Sequence, residues 1–417
     1  MASPSLQRRL GLGDAVFIGL GSMIGAGVFA VWGPAAAAAG TGLLIGLAIA
    51  AIVAFGNATS SAQLAAAHPT SGGTYAYGRA ELGPWWGFIA GWGFVVGKTA
   101  SCAAMALTFA AYAAPSGWER PVAVAAVVVL TAVNGFGVTR TAGAARVIVV
   151  VSLGALAAAI TAAFSAGATT AWLTAETMWT GGGYGILQSA GLLFFAFAGY
   201  ARIATMGEEV REPRRVIPRA IVIAFLIALV VYAVVAVGVL SALGPAAVAV
   251  STEPVADAAA GSGWAWIGPV VRVGAAAASL GALLALIAGV SRTTFAMSRE
   301  RDLPGFLDRV HPRTHVPLRA EMFIGAVVVV LVAFIDLRGA IGFSSFGVLL
   351  YYFVANVAAM RQHREARRYP VPLQIMGAIG CLVLAVTLPW QSVVGGVVVV
   401  AIGVAYRGLR LRFARRR

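Results

Sequence analysis

One stretch near the start of the chain constrains its fold more than any other. Gly19-Leu-Gly-Ser-Met-Ile-Gly-Ala-Gly-Val-Phe29 lies inside an apolar run from Leu12 to Val31. About 20 residues rising 1.5 Å each cross a bilayer, so this run is long enough to span one. Gly19, Gly21, Gly25 and Gly27 interrupt it, and each glycine weakens a helix by about 1 kcal/mol relative to alanine. Lipid offers no water to exposed backbone groups, so a broken helix persists only where it faces protein or a wet cavity. Two readings follow. Gly21 and Gly25, four apart, let two helices pack closely, or the break exposes N–H and C=O groups at a transport site.

The remainder of the chain is as apolar as this stretch. Hydrophobic residues make up 60% of it and charged residues 11%, where soluble domains carry about 25% charged. These values describe an all-α integral membrane protein that crosses the bilayer many times. Twelve spans can be drawn, at 12–32, 40–65, 84–113, 120–137, 144–166, 186–206, 218–241, 268–297, 318–336, 339–360, 371–388 and 391–407. The first run is too long for a signal peptide and lacks a small-residue cleavage site, so it stays as the first span.

A net charge of +15 in a soluble protein would suggest nucleic acid; here the arginines fall between spans. Arg8 and Arg9 precede the first. Arg140, Arg146, Arg211, Arg214, Arg215 and Arg219 follow, then Arg299 to Arg319, Arg361 to Arg368 and Arg407 to Arg417. With twelve spans all of these fall on one side, and Arg120, Arg272 and Arg338 on the other. The asymmetry predicts cytoplasmic termini, in a cell membrane and not with a nucleic-acid partner. Cys102 and Cys381 sit in separate apolar runs and imply neither a disulfide framework nor a metal site.

A second interruption matches the first. The sixth span reads Leu192-Leu-Phe-Phe-Ala-Phe-Ala-Gly-Tyr200 and breaks its pattern at Gly199. Interrupted spans in corresponding positions of two halves point to a transporter binding site. First and sixth are the corresponding members of two five-span units, about 12–166 and 186–360. Two further helices at about 371–407 and a basic tail at 411–417 complete a single transporter domain.

At these residues the chain resembles the amino acid–polyamine–organocation (APC) superfamily of permeases. Gly21 to Phe29 matches that family's glycine-rich first-span signature. Phe194-Phe-Ala-Phe-Ala-Gly-Tyr200, followed by Glu208-Glu-Val-Arg-Glu-Pro-Arg-Arg-Val-Ile-Pro218, is similar to its sixth-span block. Ser71-Gly-Gly-Thr-Tyr75 resembles its loop after span two, and Arg292-Thr-Thr-Phe-Ala-Met-Ser-Arg299 with Leu303-Pro304 its segment after span eight. The resemblance implies a LeuT-type five-plus-five inverted repeat with helices 1 and 6 discontinuous, and an amino acid or related amine as cargo.

An amino acid needs a site for its carboxylate and another for its ammonium. The start of a half-helix offers free N–H groups and about half a positive charge, which predicts the carboxylate at Ser22, Met23, Ile24, Gly25, Ala26 and Gly27. Carbonyls around Ala196, Phe197, Ala198 and Gly199 would accept the ammonium. The Ser22 hydroxyl has a competing use, bonding back into its own helix. The resemblance implies one aromatic gate over the cargo, either Phe195 or Phe197.

Lys98 is the only lysine of the chain and falls midway along the third span. A cation at a helix centre costs roughly 2.5–3.5 kcal/mol on insertion scales. A lysine kept from water can gain and lose a proton, which suits proton coupling. Some related permeases carry a coupling lysine on the fifth span, but Arg146 to Ile160 offers only Ser152. Lys98 either takes over that role from another helix, binds helix-break carbonyls as a fixed cation, or snorkels. Ser291, Thr293 and Thr294 stand where sodium-coupled relatives supply hydroxyls, making Ser291 and Thr294 a candidate cation site, with the proton favoured over sodium. Arg202 and Arg292 lie near the cytoplasmic ends, where they either snorkel or pair with Glu208 or Glu209 as an inner gate. His68, His311, His315 and His363 fall in cytoplasmic connections, where no metal role is expected.

No His-Glu-x-x-His, Gly-x-Ser-x-Gly or nucleotide loop occurs, which argues against an enzyme or a primary pump, and no cofactor is expected. The expectation is a proton-coupled secondary transporter of amino acids working by alternating access. An exchanger, an exporter, or a passive channel or scaffold are the alternatives. Alanine, glycine and phenylalanine around the breaks, without a nearby carboxylate, favour neutral or apolar amino acids over cationic ones.

Overall fold

A computed structural model describes residues 10–69, 72–137, 142–167, 169–207, 209–314 and 316–414. Arg8, Arg9, Ser71, Arg140, Glu208, His315 and residues 415–417 lie outside the described residues. Among the described residues the chain is helical, with no strand beyond one isolated bridge between Leu10 and Val210. In order the helices are α1 (Leu12–Met23), α2 (Gly27–Ala30), α3 (Trp32–Ala39), α4 (Leu43–Ala67), α5 (Gly73–Leu82) and α6 (Pro84–Ala113). Next come α7 (Glu119–Gly135), α8 (Ala142–Ser165), α9 (Ala175–Met178), α10 (Gly182–Phe197), α11 (Ala201–Ala204) and α12 (Pro213–Val250). Then follow α13 (Pro254–Ala260), α14 (Ile267–Arg299), α15 (Leu318–Phe334), α16 (Leu337–Arg361), α17 (Val371–Thr387) and α18 (Trp390–Ala414).

Nine helical segments among the described residues are long and apolar enough to cross a membrane, and α17 is a shorter apolar helix. The regions expected as spans four and nine form α7 and α15, 17 residues each. Prolines open α6, α12 and α13 at the first positions, where a missing N–H leaves no intrahelical bond unmade. Asp336 caps α16, its carboxylate accepting from the Gly339 N–H at 3.0 Å. The seventh span is longer than expected. Its helix starts at Pro213 and, after a kink at Gly244 (φ 73°), resumes to Val250.

The helices of the two expected halves pair in a regular way. α1 packs on α12 and α10 on α4; α8 packs on α14 and α6 on α16. α4 also meets α12, α6 meets α14, and α7 meets α15. Small residues let α6 and α16 approach closely. A Cβ on Gly93 would lie 2.9 Å from the Gly347 carbonyl, and one on Gly97 3.0 Å from that of Ser344. One turn on, the Ser101 and Ser344 hydroxyls share a hydrogen bond of 2.6 Å. Such glycine seams with hydroxyl links hold helices together where no hydrophobic drive operates. This seam fixes the rotation of α6, and therefore the direction in which Lys98 faces.

Candidate functional site

The first span breaks where the glycines are. α1 ends at Met23, Ile24 leaves the helical region (φ −84°, ψ 50°), and the helix restarts at Gly27. Hydrogen bonds from the Val31 N–H to the Gly27 carbonyl (3.1 Å) and from Ala35 to Val31 (3.0 Å) carry it on through α3. The N–H groups of Gly25, Ala26 and Gly27 find no backbone acceptor among the described residues, the normal condition of a helix start. The sixth span interrupts differently. α10 tightens into a 3-10 turn at Ala198–Tyr200 before α11 continues, which redirects carbonyls without fully opening the helix.

The two breaks touch. A Cβ on Gly199 would overlap the carbonyl of Ser22 and stand 2.6 Å from the Met23 nitrogen; one on Gly27 would stand 2.9 Å from the Ala196 Cα. Only glycine permits this approach at either position. Tyr232 of α12 joins them from behind, its hydroxyl 2.6 Å from the Met23 carbonyl and 2.9 Å from that of Ala196. It has one proton for two acceptors.

Between the breaks and α6 lies a small cavity, lined by Ser22, Met23, Gly25, Ala26, Gly27, Lys98, Ser101, Met105, Phe195, Ala196 and Gly199. Nine of these residues are sequence candidates. Ile24, Phe197 and Ala198 adjoin the cavity without lining it. Phe195 faces it, whereas Phe197 is fully buried against Phe225 and Tyr232. The Ser22 hydroxyl donates to the Ile18 carbonyl at 3.0 Å, the back-bonded use weighed above.

Lys98 is 7% exposed, and its ammonium donates to the Ala198 carbonyl at 3.3 Å. The Tyr352 hydroxyl donates to the same oxygen, also at 3.3 Å. The one helix-break carbonyl that both reach is thus already engaged. No carboxylate lines the cavity among the described residues. Ser291, Thr293 and Thr294 do not line it either. Thr293 and Thr294 bond back to Gly289 and Val290, while the buried Ser291 hydroxyl lacks a partner among the described residues.

Charge pairing at the arginine-rich end differs from the expected pattern. Arg202 reaches the Thr205 hydroxyl at 3.4 Å and forms no ion pair with Glu209 among the described residues. The buried pair is Asp302 with Arg407, completed by Arg79 at 3.0 Å and the Tyr75 hydroxyl at 2.9 Å. Arg407 also lies over the rings of Trp85 and Phe88, at 5.1 and 4.8 Å. It stands at the edge of the expected tail, yet it is buried because α18 docks against the turn after α14.

The chain is similar to known permeases and transporters. The amino acid permease family model matches residues 10–405. An uncharacterized transporter of Mycobacterium tuberculosis is 57% identical over 411 residues, covering 99% of this chain and 93% of that protein. A branched-chain amino acid permease of Bacillus subtilis is 26% identical, over 96% of this chain and 92% of its own. The chloroplastic cationic amino acid transporter 7 of Arabidopsis thaliana is 28% identical, over 95% and 73%.

Proposed function

The chain belongs to the amino acid permease family of the APC superfamily, and from that membership we propose a secondary active amino acid transporter that works by alternating access. Its family and named relatives are permeases and transporters, not enzymes, and it is a multi-pass membrane protein. The observation that carries the proposal is the cavity held between two touching helix breaks. The first break presents N–H groups to a cargo carboxylate, at Ser22 to Gly27, and carbonyls from Ala196 to Gly199 take the ammonium, that of Ala198 in exchange for its present donors Lys98 and Tyr352. Phe195 is the gate, because it is the ring that faces the cavity.

Neutral and apolar amino acids are the preferred cargo, since the cavity is apolar apart from Lys98, two serines and backbone. Proton coupling resides at Lys98. A charged ammonium holds the Ala198 carbonyl more strongly than a neutral amine does, so proton transfer there alters how open that carbonyl is to cargo. Ser291 and Thr294 remain the candidate cation site, with the proton favoured over sodium. The architecture proposed is twelve spans in a five-plus-five inverted repeat. It is supported by a pairing pattern that stays the same when each of the first five spans is exchanged with its counterpart. Both termini are placed in the cytoplasm, in line with the arginine distribution.

Uptake of labelled amino acids into proteoliposomes, with and without an inward proton gradient, tests this reading. Wild type accumulates its cargo down the gradient, and Lys98→Ala loses accumulation while keeping exchange. Exchange without accumulation in wild type would instead support an exchanger, and no movement of any amino acid would refute the transporter reading.

A further inference from the structure

We propose that Lys98 sets the charge class of the cargo, admitting amino acids with neutral side chains and turning away those with a cationic side chain. This rests on the permease reading and deepens it. Family membership leaves charge class open, since relatives named for branched-chain and for cationic amino acids both align over nearly the whole chain.

The geometry is specific. Lys98, Ser101 and Met105 follow one another at spacings of three and four along α6, one face of a helix, and all three line the cavity. That face runs from a cation through a hydroxyl to a thioether. Lys98 is the charged member of the cavity wall, and no carboxylate among the described residues stands opposite to neutralise it. Its ammonium is drawn to the Ala198 carbonyl at the sixth-span break, so the charge sits beside the place where cargo is held. The Ser101 hydroxyl is already committed to Ser344 and to the Gly97 carbonyl.

Lys98 lines the same small cavity as both helix breaks, so a side-chain cation held there lies close to its charge. At a separation of about 6 Å and an effective dielectric constant near 20, two like charges disfavour binding by about 100-fold. A neutral side chain of the same length meets no such penalty, and the α-ammonium, common to both cargoes, weighs on each alike.

Lysine and norleucine differ by little more than the terminal ammonium, and serve as the probe. Counterflow of the best-transported neutral amino acid is measured in proteoliposomes at equal pH on both sides, with each compound as competitor. In wild type norleucine competes about 100-fold better than lysine. In Lys98→Met the gap narrows to below about tenfold, and in Lys98→Arg, which keeps the charge, it persists. Ligand-induced thermal shifts of the purified variants read the same ratio without requiring transport, and Lys98→Gln replaces the methionine variant if that one does not fold. A gap that survives loss of the charge overturns the proposal and leaves the permease reading intact. Lysine competing as well as norleucine in wild type overturns it without any variant. Absence of counterflow for every neutral amino acid would remove the permease reading itself.

Discussion

Gly199→Ala perturbs the contact between the two helix breaks without changing charge or polarity. The added Cβ would stand 2.6 Å from the Met23 nitrogen, where ordinary contact begins at 3.4 Å, and would overlap the Ser22 carbonyl. Both neighbours are backbone, so no side chain can swing aside. The Ser22–Met23 peptide must retreat by roughly 0.8 Å or more, and overpacking of this kind costs roughly 1–3 kcal/mol. That cost should lower the melting temperature, and counterflow should fall because the retreating peptide forms the cavity wall. The assay is counterflow in proteoliposomes, paired with melting of the detergent-solubilised protein. Gly289→Ala on α14 is the control, because a Cβ there meets nothing within 4 Å. It should transport as wild type and melt at the same or a slightly higher temperature, since alanine favours the helix. Wild-type counterflow with wild-type melting in Gly199→Ala would refute the claim that the breaks touch in the working protein.

Two further perturbations address the ends of the bundle. Asp302→Asn leaves Arg407 and Arg79 facing a neutral amide in a buried setting; breaking such a pair costs roughly 3–5 kcal/mol, so the melting temperature should fall clearly, and an unchanged melt would mean that α18 is not braced there. At the opposite end, burial holds the Glu253 carboxyl above the usual carboxylate range, against the pull of Arg272 at 3.5 Å. A carboxyl raised by folding contributes stability at low pH that is lost as pH rises through its folded value. Glu253→Gln should therefore stabilise the protein at neutral pH, with the gain shrinking on acidification, and a gain independent of pH would contradict this account.

Much of the candidate site was legible in the sequence because the features that mark it are local. Glycine weakens a helix wherever it stands, so the interruptions at Gly25, Gly27 and Gly199 could be placed from composition and spacing. A lone lysine in an apolar run stands out for the same reason. Ser101 and Met105 were missed, since serine and methionine carry no signal of their own in a membrane helix. Their spacing from Lys98 was the available clue. Phe195 and Phe197 were equivalent as letters. Being two residues apart on a helix, they face different ways: Phe197 packs against Phe225 and Tyr232, and Phe195 lines the cavity.

The sequence by itself determined the all-helical membrane class, the two interruptions, the isolated cation and the family. These follow from hydrophobic run length, backbone propensity and charge, properties a residue carries with it. Tertiary structure alone decided that the interruptions touch, that Tyr232 joins them, and that Lys98 binds the Ala198 carbonyl. It likewise decided that Arg407 is buried against an Asp302 that lies 105 residues earlier in the chain. Each of those facts is a distance between separate helices, set by how glycine seams and packed side chains orient one helix against another. No local property of the chain encodes such a distance.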